Sequence, residues 1–183
     1  MKTKLYPMVQ FKQDTWGIHE SHVASMFLLI GKEKAMLIDT GMGIGDLRGA
    51  VEQITDKPLI VVLTHNHGDH SGNICQFQDV WLNEKDMDKP IPFPLEQRRE
   101  DVRMIALRQG GIYPYNLDED LRMPSEEEPL PTFHYIKDGQ KFDLGGRIVT
   151  AYDCPGHSTG EMVFLDESTR SLFCGDALNY NLG

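Results

Sequence analysis

Leu59-Ile60-Val61-Val62-Leu63 is an unbroken apolar run that leads directly into Thr64-His65-Asn66-His67-Gly68-Asp69-His70. A short apolar run that follows a proline and ends in a polar cluster predicts a strand buried on both faces, as in α/β proteins. The polar cluster then lies at the C-terminal end of that strand, where open α/β sheets place their ligands. Three imidazoles and a carboxylate, His65, His67, His70 and Asp69, suit zinc or iron. Nitrogen donors bind borderline metals and the carboxylate balances their charge. The cluster must be an irregular turn, because a regular strand alternates faces and cannot aim several neighbours inward.

The remaining elements are arranged around that strand. Residues 22–39 predict a hairpin with Gly31-Lys32-Glu33-Lys34 as its turn. Gly41, Gly43 and Gly45 break the chain before a helix over residues 46–54, where Leu47, Ala50, Val51 and Ile54 recur at helical spacing. A short unit over residues 72–82 follows. From 84 to 131 the chain is charged, rich in proline at both ends, and holds one helical segment over residues 95–109. Strands resume at residues 132–136, 148–152, 161–165 and 171–174. This order predicts one α/β layered domain over residues 1–183, with a peripheral insertion over residues 84–131. Loops on a rigid scaffold carry recognition. Pro90, Pro92, Phe93, Pro94, Tyr113, Pro114 and Tyr115 would therefore wall a substrate pocket, or else the insertion is solvated around a small satellite core.

Bulk properties exclude several classes. Hydrophobic residues make up 40% and charged residues 25%, which is ordinary for a globular domain and wrong for a disordered one. The net charge of −10, with no Lys/Arg-rich stretch, disfavours nucleic acid as a partner. No apolar run is long enough to span a membrane, and the basic Met1-Lys2-Thr3-Lys4-Leu5 has no apolar segment behind it, so a cytoplasmic location is expected. Cys75, Cys154 and Cys174 show no CxxC spacing and read as small hydrophobes rather than as a disulfide framework or zinc knuckle.

Two later segments repeat the strand-then-polar pattern: Pro155-Gly156-His157-Ser158-Thr159-Gly160 and Leu172-Phe173-Cys174-Gly175-Asp176. Together with the histidine loop, in this order and spacing, they resemble the metallo-β-lactamase superfamily. Its pattern is His-x-His-x-Asp-His, then a histidine in a Pro-Gly-His segment, then Gly-Asp at a strand end. Ile38-Asp39-Thr40-Gly41 is similar to the family's early strand-end motif. The resemblance covers roughly residues 20–82 and 132–178. It implies an αβ/βα sandwich and two metal positions: His65, His67 and His157 for the first, Asp69 and His70 for the second, with Asp176 bridging. Asp39 would support the ligands from behind. The cofactor implied is zinc, with iron or manganese as alternatives, and the chemistry is attack by a metal-activated hydroxide that Asp69 orients. An aspartate bridge in place of a cysteine ligand resembles the glyoxalase II and general hydrolase branch. The implied partner is a small-molecule thioester, ester or lactone.

The family pattern supplies one more histidine to the second metal, downstream of the bridging aspartate, and none follows Asp176 here. The expectation is a fold incomplete at its C-terminus, lacking the family's last strands and helix. A first metal position would then be intact and a second short of a ligand, and the exposed sheet edge would favour self-association. His19, His22 and His134 fall in no family motif and read as surface or strand residues. Two other functions stand beside the hydrolase: an iron-dependent oxygenase of the sulfur-dioxygenase type, and a metal-bound protein without turnover. Cys174, two residues before Asp176, is expected in the core by strand alternation.

Overall fold

The computed structural model describes residues 6–20, 23–108, 110, 116–121 and 129–178. The larger of its two sheets holds seven strands, in sequence order: β1 (Met8–Lys12), β2 (Thr15–His19), β3 (Ser25–Ile30), β4 (Ala35–Ile38), β5 (Leu59–Val62), β6 (Asp79–Leu82) and β7 (Thr132–Tyr135). The first four pair antiparallel, and β4 through β7 pair parallel. The smaller, antiparallel sheet runs β11 (Ser171–Phe173), β10 (Met162–Asp166), β9 (Ile148–Asp153), β8 (Lys141–Asp143). Helices α1 (Leu47–Glu52), α2 (Gly68–Ser71), α3 (Leu95–Arg108) and α4 (Leu117–Asp120) complete the regular elements.

Alternation along the central strands explains the layering. Ala35, Leu37, Val61 and Leu63 face one way and pack with Leu47, Ala50 and Val51 of α1. Met36, Ile38 and Val62 face the other way and pack with Phe142, Val149, Ala151, Met162 and Phe164 of the smaller sheet. Both faces of β4 and β5 are thus covered, which is why these strands read as continuous apolar runs rather than as alternating ones. Each Val, Leu, Ile, Met or Phe among them contributes about 1.5–3 kcal/mol on full burial. The two sheets are also tied by Arg147, which pairs with Asp166 at 2.7 Å. Its guanidinium donates to the Asp14 and Ile30 carbonyls and to Thr15 Oγ1 as well. Burial works against the charge on Asp166, but hydrogen bonds from Arg147, Ser168 and Thr169 hold its carboxyl at about 2.

The hairpin prediction is matched by β3 and β4, although Val23 lies outside both strands, and His22 lies outside the described residues. Asp46 caps α1, accepting from the Gly49 backbone N–H. The described residues of 84–131 pack around a small satellite core, the second of the two readings. Arg98 of α3 is fully buried and donates to the Met42 carbonyl. Val102, Leu117 and Leu121 form a satellite core with Met42 and Ile44 of the glycine-rich loop. Among the described residues no helix is long and apolar enough to cross a membrane.

Candidate metal centre

Four strand ends deliver the site to one edge of the sandwich. β4 leads into Asp39, β5 into the turn carrying His65 and His67 and then α2 with His70, β9 into the loop carrying His157, and β11 into Gly175-Asp176. The Met162 N–H donates to the Thr64 carbonyl and so joins the smaller sheet to the histidine loop. Gly175 takes a positive φ of 50°, and a Cβ there would overlap the Thr64 side chain. Only glycine permits this approach, so the residue before Asp176 is fixed by backbone sterics.

The structure brings His65, His67 and His157 together. His67 Nδ1 lies 3.0 Å from His65 Nε2 and 2.8 Å from His157 Nε2. Three donors on a tetrahedral zinc with bonds of about 2.0–2.1 Å would stand about 3.3 Å apart, so this group needs only a few tenths of an ångström to fit. Metal binding also requires neutral imidazoles. Burial, reinforced by the neighbouring His70, His67 and His157, holds His65 well below the usual histidine range. Burial likewise lowers His67, with Lys89 and His157 adding to it. The donor set therefore fits a borderline divalent metal.

A second group shares His65: it joins His70 and Asp176, with donor atoms within 4.8 Å of one another. Asp176 Oδ1 lies 3.6 Å from His70 Nε2 and its Oδ2 3.6 Å from His157 Nε2, so one carboxylate spans both groups. Asp69 belongs to neither set of converging atoms; its Oδ2 lies 3.7 Å from His70 Nε2, at the margin of the second group. The hydrogen bond from His70, opposed by burial, pulls the Asp176 carboxyl below its ordinary value. His70 is the converse case. Burial opposes its protonation, but Asp39, Asp69 and Asp176 outweigh it and raise this imidazole well above 6.5.

Asp39 stands behind the donors. Its Oδ2 accepts from His70 Nδ1 at 2.9 Å, and its carboxylate accepts from the Thr64 N–H at 2.7 Å and from Thr64 Oγ1. Asp39 has a positive φ of 64°, a conformation that costs about 1–2 kcal/mol in a non-glycine residue. Its hydrogen bonds hold it there.

Two acids without a sequence signal also contact the site. Glu161 is buried, accepts from the Asp176 N–H at 3.1 Å, and lies 3.9 Å from His65 Nδ1. Asp86, the last residue of a 3-10 turn after β6, accepts hydrogen bonds from both histidine-bearing loops. Glu20 braces the glycine-rich loop, accepting from the Met42 and Ile44 N–H groups, and burial raises its carboxyl to about 8.

An open cavity of about 1030 Å³ adjoins Asp69, His70 and Asp176. Phe11, Phe27, Phe173 and Leu172 line it, with Lys12 and His19 among its polar walls. No described residue of 84–131 lines this cavity, so the wall is built from the N-terminal strands and the segment after β10 instead. Tyr113, Pro114 and Tyr115 lie outside the described residues. Cys174 also corrects its expectation: it follows the end of β11, half-buried, on the cavity wall, and not in the core. His134 pairs with Asp79 at 2.6 Å on the sheet, as a strand residue does.

The family model of the metallo-beta-lactamase superfamily matches residues 21–182. The chain belongs to the metallo-β-lactamase superfamily. Among relatives in that superfamily, it is 28% identical over 180 residues to human acyl-coenzyme A thioesterase MBLAC2, spanning 85% of this chain and 58% of the relative. It is 27% identical over 173 residues to hydroxyacylglutathione hydrolase of Francisella tularensis, spanning 92% of this chain and 52% of the relative. The chain thus spans just over half the length of these curated relatives. A metallo-beta-lactamase family protein of Thermus thermophilus shares the fold with a TM-score of 0.59 at 23% identity, over 95% of this chain and 62% of that structure.

Proposed function

We propose that this chain carries the metal site of a metal-dependent hydrolase of small-molecule thioesters. One observation carries the reading: two donor groups share His65 and are spanned by the Asp176 carboxylate. His65, His67 and His157 would hold the first metal, and His70 and Asp176, with Asp69 at the margin, the second. Zinc suits the imidazole-rich first group. A bound metal pair supplies Lewis acidity, which lowers the pKa of water and polarises the bond under attack.

The chain's own groups do the rest. Asp39 fixes His70 with its Nε2 facing Asp176 and Asp69. The Asp69 carboxylate, on the cavity wall, orients the attacking water and accepts its proton. The cavity beside it takes the acyl portion of the substrate against Phe11, Phe27 and Phe173. The thioester class is supported by the names of two relatives, which act on acyl-coenzyme A and hydroxyacylglutathione.

The test is thiol release from an acyl-coenzyme A and from a hydroxyacylglutathione by the zinc-loaded protein. Release should be lost on chelation and restored by zinc. A loaded protein that releases thiol no faster than its His65→Ala variant overturns the reading.

A further inference from the structure

We propose that Asp86 is a positioning residue that sets the metal affinity of the His65–His67–His157 group by locking two separate loops into one donor geometry. The inference rests on the reading of those histidines as a metal site. Asp86 is fully buried yet touches none of them. Its Oδ2 accepts from the backbone N–H of Asn66 at 3.1 Å, and Asn66 stands between His65 and His67. The same oxygen accepts from Ser158 Oγ at 2.7 Å, the residue after His157. Its Oδ1 accepts from the Gly160 N–H at 2.9 Å. The backbone joins in: the Asn66 side-chain amide donates to the Asp86 carbonyl at 3.1 Å, and Thr159 Oγ1 donates to the Lys85 carbonyl.

One carboxylate therefore fastens the loop after β5 to the loop after β9, loops separated by some ninety residues of chain between His67 and His157. The fit is close. A Cβ on Gly160 would come within 2.8 Å of Asp86 Cγ, so only glycine lets that loop approach. Lys89 Nζ, 3.5 Å from Oδ1, supplies a counter-charge for the buried group. Partners of this kind hold donors in place before metal arrives, and a preformed set loses less freedom on binding.

Asp86→Ala removes the acceptor for both loops. Asp86→Asn keeps the shape but presents an NH₂ to one of the N–H donors. Ser158→Ala cuts only the link beside His157. Zinc affinity is measured against a competing chelator, with apo melting temperature and the visible spectrum of the cobalt-substituted protein recorded on the same samples. We expect Asp86→Ala to weaken the first equivalent by about 10- to 100-fold, the usual effect of losing an outer partner, with a changed cobalt spectrum. Asp86→Asn should retain part of the affinity. A folded Asp86→Ala protein with zinc affinity and cobalt spectrum like those of the parent overturns the proposal. Should Asp86→Ala fail to fold, Asp86→Asn and Ser158→Ala decide: weakened binding in both supports it, and unchanged binding in both overturns it. A parent protein that binds no zinc, or binds it equally well after His65→Ala, overturns the metal-site reading itself and this inference with it.

Discussion

The two donor groups at the sheet edge differ in how they are prepared. His65 is buried and His67 half-buried, burial lowers both imidazoles, and their ring nitrogens are already 3.0 Å apart. His70 is buried too, but it is ringed by Asp39, Asp69 and Asp176, which raise it well above the ordinary histidine value. One group is ready for a cation, while in the other a proton competes for the place a cation would take. Imidazole is also the donor zinc prefers over additional oxygen. The first group should therefore fill first and more tightly, and the second should fill only as far as it can shed a proton.

The most damaging change for both groups should be His65→Ala. His65 supplies a nitrogen to the first set and belongs to the second. Its loss should cost more than the 10- to 100-fold that follows removal of an outer partner, and should lower metal content at both positions. Elemental analysis after dialysis checks this. A variant that still retains two equivalents would show that the groups do not share His65.

Asp39→Ala separates the groups. Its carboxylate contacts His70 Nδ1 at 2.9 Å and the Thr64 hydroxyl and N–H, whereas the three-histidine group is reached only through Thr64. We expect the second equivalent to weaken by about 10- to 100-fold and the first by much less in a stepwise zinc titration. Equal losses at both would mean that Asp39 acts by holding the loop as a whole.

Asp39 and the histidine loop were legible in the sequence because each follows a strand and carries its chemistry in consecutive residues. The burial of β5 on both faces was legible because an unbroken apolar run leaves no polar face for solvent. Asp86 was not, since its partners Asn66 and Ser158 lie 20 and 72 positions away and nothing local distinguishes it from other acids in a charged segment. Within 84–131 the satellite core was one of the two readings offered, but its anchor was not legible. Composition marked the segment as polar, but α3 buries Arg98 against the Met42 carbonyl, a long-range contact that no periodicity announces. Cys174 fell outside the core because β11 ends at Phe173, so strand alternation no longer applied to it.

Acidity should distinguish the groups more gently. The folded-state pKa of His70 is raised, so below it a metal at the second group must displace a proton, and apparent affinity should fall about tenfold per pH unit as pH drops. Two of the three imidazoles in the first group, His65 and His67, have lowered values and compete less for protons, so its slope should be shallower. The same shifts act on stability with opposite signs. Charged His70 stabilises the apo fold below about 6.5, and that contribution is lost as pH rises through its raised value. Neutral His65 and His67 favour the fold above about 6.5 and cost stability as pH falls below it. Zinc titrations at several pH values, with proton release measured in parallel, test the difference. Equal slopes would remove the distinction.

The smallest effect should come from Glu161→Gln, and it bears on whether the groups are electrostatically joined. Glu161 Oε1 accepts from the Asp176 N–H and lies 3.9 Å from His65 Nδ1, while Oε2 has no hydrogen-bond partner among the described residues. Burial pushes its carboxyl above the ordinary value, so the charged form is costly without a cation nearby. A metal on His65 would favour the charged form, and glutamine would withdraw that charge while keeping an oxygen for Asp176. An interaction at this distance across a ligand is screened by the ring between, so we expect a loss of about two- to fivefold, near 1 kcal/mol or less by the tenfold-per-1.4 kcal/mol relation. It should appear at both equivalents, because His65 is shared. Glu161→Ala should cost more, since it also leaves the half-buried N–H of Asp176 without this acceptor. If Glu161→Gln binds both equivalents as the parent does while Glu161→Ala does not, Glu161 acts as a hydrogen-bond acceptor alone, and the two groups are joined by geometry rather than by its charge.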